Sequence, residues 1–180
     1  MEITFTRTGG RTYAPRAVRD DGVSVQVPSY DRTAPLPHDL AHYVVERELG
    51  LKNGFWGCVA AGALFPGMTV ISGRQRPQAA ARSAAVIREA GQHGTEAEVL
   101  VGVLLGIVHD GLEPGGAAAR ERLGRAWKPA RPSRGPLNAD EVCRVCAALR
   151  EAEARWQALP VGDSLTVYWP GDAGSARRRR

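Results

Sequence analysis

Apolar and polar residues alternate at the start of the chain, and through most of the rest apolar residues recur at helical spacing. Ile3 and Phe5 alternate with Thr4 and Thr6, and a period of two predicts a half-buried strand. Gly9-Gly10 offers a turn, residues 12–19 a return strand, and Asp20-Asp21-Gly22 a second turn before the alternating Val23, Val25 and Val27. The pattern predicts a three-stranded meander with one apolar face. Near the other end Leu165, Val167 and Trp169 alternate, which predicts a last strand that joins the same sheet.

Helical patterns fill the middle. Pro35-Leu36-Pro37 leads into a helix from 37 to about 49, with proline in the first turn, where no N–H is needed. Residues 55–64 are small and apolar and predict a short helix, closed by Pro66-Gly67; residues 68–76 read as irregular or briefly extended. A third helix is expected over 77–90 with Gly91 past its end, and a fourth over 95–109, where Thr95 and Glu98 have capping-box spacing. The run Val99 to Val108 is apolar on all sides, which places that helix at the centre. Residues 112–137 are rich in Pro, Gly and Arg and read as an internal loop, helical in part near 117–126. Asn138 and Glu141 signal another cap, opening a helix to about Leu159 with Val142, Cys146, Leu149 and Trp156 on one face. The fold class expected is α+β: a small antiparallel sheet packed against about five helices. Residues 1–170 form one domain, and 171–180 a disordered basic tail.

Composition changes this picture little. A chain of 180 residues with 43% hydrophobic content buries enough surface to fold without a metal or disulfide staple. The three cysteines, Cys58, Cys143 and Cys146, are no disulfide framework. Cys143 and Cys146 have C-x-x-C spacing without a second such pair, and inside an amphipathic helix both read as small buried apolar residues. The first residues, MEITFTRTGG, lack the charged and apolar regions of a secretory signal, and the longest apolar run is too short to span a bilayer. A cytoplasmic location and no membrane partner are expected. The net charge of +5 is uneven: Arg177–Arg180 supply +4 and residues 116–134 a further +5, leaving −4 on the body. Only Lys52 and Lys128 are lysines among 24 basic residues, an arginine bias that GC-rich coding produces without function. The basic runs have no interleaved aromatics for base stacking, so a nucleic-acid partner is not expected. The basic 120–134 stretch remains a candidate protein contact.

One stretch stands out chemically: His38-Asp39-Leu40-Ala41-His42-Tyr43-Val44-Val45-Glu46. At about 100° per residue, His38, Asp39, His42 and Glu46 fall within about 100° of arc, a polar stripe along the edge of the apolar face. Histidines four apart on a helix can hold one metal ion, the mechanical basis of the H-E-x-x-H zinc motif. The candidate zinc ligands are His38 and His42, with Glu46 as third ligand or outer-shell partner. Asp39, one methylene shorter than the glutamate of that motif, is the candidate base. His109 is a remote further ligand. Each has an ordinary reading too: Asp39 suits the helix dipole, His42 and Glu46 form an i,i+4 pair, and His109 complements a helix C-terminus. No Walker loop, dinucleotide fingerprint or nucleophile elbow is present.

The segment from Leu36-Pro37-His38-Asp39-Leu40-Ala41-His42 through Val45-Glu46 and Gly50-Leu51 to Gly54-Phe55-Trp56-Gly57 resembles a group of small uncharacterised bacterial proteins. Those proteins open with a strand like Ile3-Thr4-Phe5-Thr6-Arg7, and the likeness covers about the first 63 residues. The resemblance implies a bacterial origin and no particular chemistry. Two functional readings follow: a non-catalytic binding or regulatory domain, or a metal-dependent hydrolase centred on the H-D-x-x-H helix.

Overall fold

Strand β1 (Glu2–Thr8) turns its apolar positions to one side. Ile3 and Phe5 are fully buried, while the hydroxyls of Thr4 and Thr6 pair across the outer face with Thr166 and Ser164 at 3.3 and 2.8 Å. This alternation lets one face of the sheet carry the core and the other remain polar. The computed structural model describes residues 1–9, 12–28, 35–130 and 135–171. In it β1 pairs antiparallel with β2 (Thr12–Val18) and, on its other side, with β5 (Ser164–Tyr168). Strand β3 (Ser24–Gln26) follows β2, and β4 (Thr69–Ser72) pairs with β3, so the sheet runs β4-β3-β2-β1-β5 with every pair antiparallel. The C-terminal strand thus joins the N-terminal meander as expected. β4 is a strand within the stretch read as irregular; it is short, largely exposed and at the edge, so it has little apolar alternation to signal it.

The helices are α1 (His38–Leu49), α2 (Phe55–Ala61), α3 (Ala79–His109), α4 (Ala117–Ala130) and α5 (Ala139–Ala158). Ring contacts fix this layer to the inner face of the sheet. Phe5 meets Trp56 edge-on at 5.9 Å, Tyr13 meets Trp156 at 6.2 Å, and Tyr43 meets Trp169 at 6.4 Å. The Tyr43 hydroxyl also donates to the Tyr168 carbonyl at 3.1 Å, tying α1 to β5. One continuous core includes Ile3, Phe5, Leu40, Trp56, Leu104 and Leu149.

Several expectations need correction. The helices foreseen over 77–90 and 95–109 are parted at Gly91 as expected, through a φ of 39° and ψ of −113° that only glycine adopts freely, but the second begins before Thr95. Helix resumes at once beyond that break, so Thr95 lies inside it and the Thr95–Glu98 cap has no terminus to serve. The second half of α3 packs on several helices but is not buried all round: Leu100, Val101, Leu104 and Ile107 are enclosed, whereas Val99, Val103, Leu105 and Val108 are half-buried. The loop foreseen over 112–137 is largely α4, which continues past 126 to Ala130. The Asn138–Glu141 capping box of α5 is formed, with both bonds at 2.9 Å, and Val142, Cys146, Leu149 and Trp156 are buried beneath it. Cys146 is thus a core residue, but Cys143 is exposed, and both are free thiols. Residues 172–180 of the foreseen tail lie outside the described residues. No helix among the described residues is long and apolar enough to cross a membrane.

Candidate metal centre

Helix α1 starts at His38 without a side-chain cap and ends at Gly50 in the left-handed conformation. The chain then doubles back, Leu51 donating to the Glu46 carbonyl at 2.8 Å, so the start of α2 meets the side of α1. Glu46 occupies that junction. Its carboxylate is fully buried and accepts from the backbone N–H of Phe55 at 2.7 Å and of Trp56 at 2.9 Å. A carboxylate there satisfies N–H groups that the first turn of α2 cannot pair internally, and meets the positive end of its dipole. Gly54 makes room for it: a Cβ at that position would run into the Glu46 carboxyl. The indole of Trp56 donates to the Asp39 carbonyl at 2.7 Å, which fastens α2 to the first turn of α1 as well.

The same Glu46 carboxylate, through Oε1, lies 2.9 Å from Nδ1 of His42. With Nδ1 donating to Glu46, the other nitrogen, Nε2, is turned outward. It stands 3.2 Å from Nε2 of His38 and 3.3 Å from Oε2 of Glu98, on α3. His38 Nε2 to Glu98 Oε2 is 3.4 Å. Three potential ligand atoms therefore form a nearly equilateral triangle. Donors about 2.0–2.1 Å from a tetrahedral ion such as zinc stand about 3.3–3.4 Å from one another. His38, His42 and Glu98 match that spacing.

The polar stripe foreseen on α1 is thus divided. His38 and His42 converge, whereas Glu46 sits behind His42 as a hydrogen-bond acceptor, with both carboxylate oxygens engaged away from the triangle. Asp39 accepts from the Tyr13 hydroxyl at 2.9 Å and is not a member of the triangle. Burial raises its pKa, against the opposing effects of the Tyr13 hydrogen bond and the two histidines. His109, at the far end of α3, lies 3.5 Å from Glu153 instead, and His93 lies 3.7 Å from Glu96. The stripe was also expected at a solvated edge, but His42 is only 2% exposed. The docking of α2 against α1 encloses it, with the Phe55 ring 6.1 Å away.

The electrostatics fit a site built around positive charge. Burial alone would push the His42 pKa down, but hydrogen bonds to Glu46 and Glu98 outweigh it and raise the value to about 9. Hydrogen bonds from His38 and His42 hold Glu98 well below the usual carboxylate range, despite partial burial. Without an ion, the proton on His42 balances the carboxylates; a divalent cation would replace it. Glu98 was absent from the sequence reading because its role depends on α3 docking beside α1, and its spacing to Thr95 suggested a local cap. No protein-family model, curated protein or solved structure matches the chain.

Proposed function

We propose that this protein is a metal-binding domain that takes up one divalent transition ion of the zinc class through His38, His42 and Glu98, and that it acts as a non-catalytic binding or regulatory module. The triangle of donor atoms at 3.2–3.4 Å carries the reading. The support behind it is the His42–Glu46 hydrogen bond, since a ligand histidine whose second nitrogen donates to a carboxylate has a fixed tautomer and orientation. Two nitrogens and one oxygen suit zinc better than magnesium or calcium, which prefer all-oxygen sets.

The non-catalytic reading rests on the surroundings. Cavities of about 430, 320 and 450 Å³ open elsewhere on the surface, and none has His38, His42 or Glu98 in its lining. A metal-dependent hydrolase, with Asp39 as base, is the second reading. Its support is the count of protein donors among the described residues: three, as catalytic zinc sites have, rather than four.

Calorimetric titration with Zn²⁺ tests the proposal. The parent protein is expected to bind one ion per chain, and His42→Ala none. A panel of activated esters and amides separates the two readings, since turnover lost on chelation would favour the hydrolase. A parent protein that binds no divalent transition metal would remove both.

A further inference from the structure

Resting on that metal-binding reading, we infer that the remaining coordination position of the ion takes an exogenous, uncharged Lewis base, and that it discriminates against phosphate. Three independent features lead there.

The first is the absence of a fourth protein donor. Among the described residues the ligand group has three members. The two nearby carboxyls are committed elsewhere: Glu46 to His42 and the N–H groups of Phe55 and Trp56, Asp39 to the Tyr13 hydroxyl. Zinc with three protein ligands keeps a position for water or another external ligand.

The second is access. Glu98 is 60% and His38 42% exposed, so the outer side of the triangle meets solvent. One turn to either side of Glu98 on α3 stand Gly94 and Gly102, and nothing lies within 4 Å of where a Cβ would begin at either. The flank of α3 is thus bare at these two positions beside the ligand.

The third is charge. A dication held by His38, His42 and Glu98 would have one carboxylate as a ligand and the Glu46 carboxylate 2.9 Å behind His42, with Asp39 next to His38 along α1. Among the described residues, the ion pairs of His38 and His42 are with Glu46 and Glu98. Phosphate sites ordinarily add arginine or lysine to share the anion's charge. Here a multiply charged anion would meet carboxyl groups instead, while a neutral nitrogen donor would bind the ion with no such repulsion.

Cobalt(II) in place of zinc gives the readout, because its visible bands report changes in coordination. The metal-loaded protein is titrated with imidazole and, separately, with inorganic phosphate, and the same is done with Asp39→Asn. Imidazole is expected to shift the bands saturably, with phosphate at least about tenfold weaker, as like-charge repulsion near a protein surface demands. Asp39→Asn should take imidazole as the parent does but bind phosphate more tightly, since one of the repelling carboxyl groups is gone. Phosphate binding as tightly as imidazole would overturn the inference. So would bands that neither ligand moves, and a spectrum altered by Asp39→Asn in that case would show Asp39 closing the site. A parent protein that takes up no cobalt at all would instead refute the metal-binding reading beneath it.

Discussion

The two nitrogens of His42 look out on opposite surroundings. Nδ1 faces Glu46, which is fully buried and also receives two backbone N–H groups. Nε2 faces His38 and Glu98, whose carboxylate is 60% exposed and, among the described residues, is held by the two histidines. The same pairing of carboxylate with imidazole therefore does two jobs. On the inner side it joins α1 to α2, and removing it would strand polar groups in the core. On the outer side water can solvate the carboxylate at little cost, so the arrangement is free to serve a ligand. The difference lies in what else each carboxylate holds and how much water reaches it.

Substitutions on the inner side should sharpen this contrast most. Glu46→Ala would leave His42 Nδ1 and the N–H groups of Phe55 and Trp56 without their acceptor; breaking such a buried pair costs about 3–5 kcal/mol. Urea denaturation of the metal-free protein should show that loss. A midpoint near the parent's would mean that the junction of α1 and α2 does not depend on Glu46.

Gly54→Ala should have a smaller effect of the same origin. The backbone at Gly54, with φ of −75°, suits alanine. Any loss must therefore come from the collision of its Cβ with the Glu46 carboxyl, and overpacking of this kind costs about 1–3 kcal/mol. The zinc affinity of this variant should fall with its stability, because Glu46 orients His42. A fully stable Gly54→Ala protein would contradict the packing described for this junction.

A graded effect is expected from pH. In the metal-free protein the His42 pKa is raised from 6.5 to about 9. A raised folded-state pKa stabilises fully below the unfolded value and is lost as pH rises through the folded one. The urea midpoint of metal-free protein should therefore fall between about pH 6.5 and about pH 9, and less so in His42→Ala. A midpoint that rises across this range in the parent alone would reverse the assignment of charge to the site.

Much of the fold was legible because period and punctuation agree with the final packing. Ile3, Phe5, Leu165 and Trp169 alternate as half-buried strands must, and Asn138 with Glu141 marks the start of α5 through a local bond pair. The elements misread depend on context. β4 is held by pairing with β3 more than by its own sequence, and helix resumes directly after the break at Gly91 without waiting for the cap offered by Thr95. At the site, the helical angle was enough to bring His38 and His42 together. It could not say which way Glu46 would turn, since that is set by the N–H groups of a second helix. Nor could it find Glu98, 52 positions beyond Glu46, which reaches the histidines only through the docking of α3 on α1.

The most direct test of the metal centre is Glu98→Ala, measured twice on the same preparation. Because Glu46 still holds the buried His42, the metal-free variant should stay folded, losing about 1 kcal/mol or less, as for a partly exposed ion pair. After equilibrium dialysis against zinc, elemental analysis should find about one ion per chain in the parent, the stoichiometry of a single three-ligand site, and almost none in the variant. Equal zinc content in parent and variant, with both folded, would contradict the account.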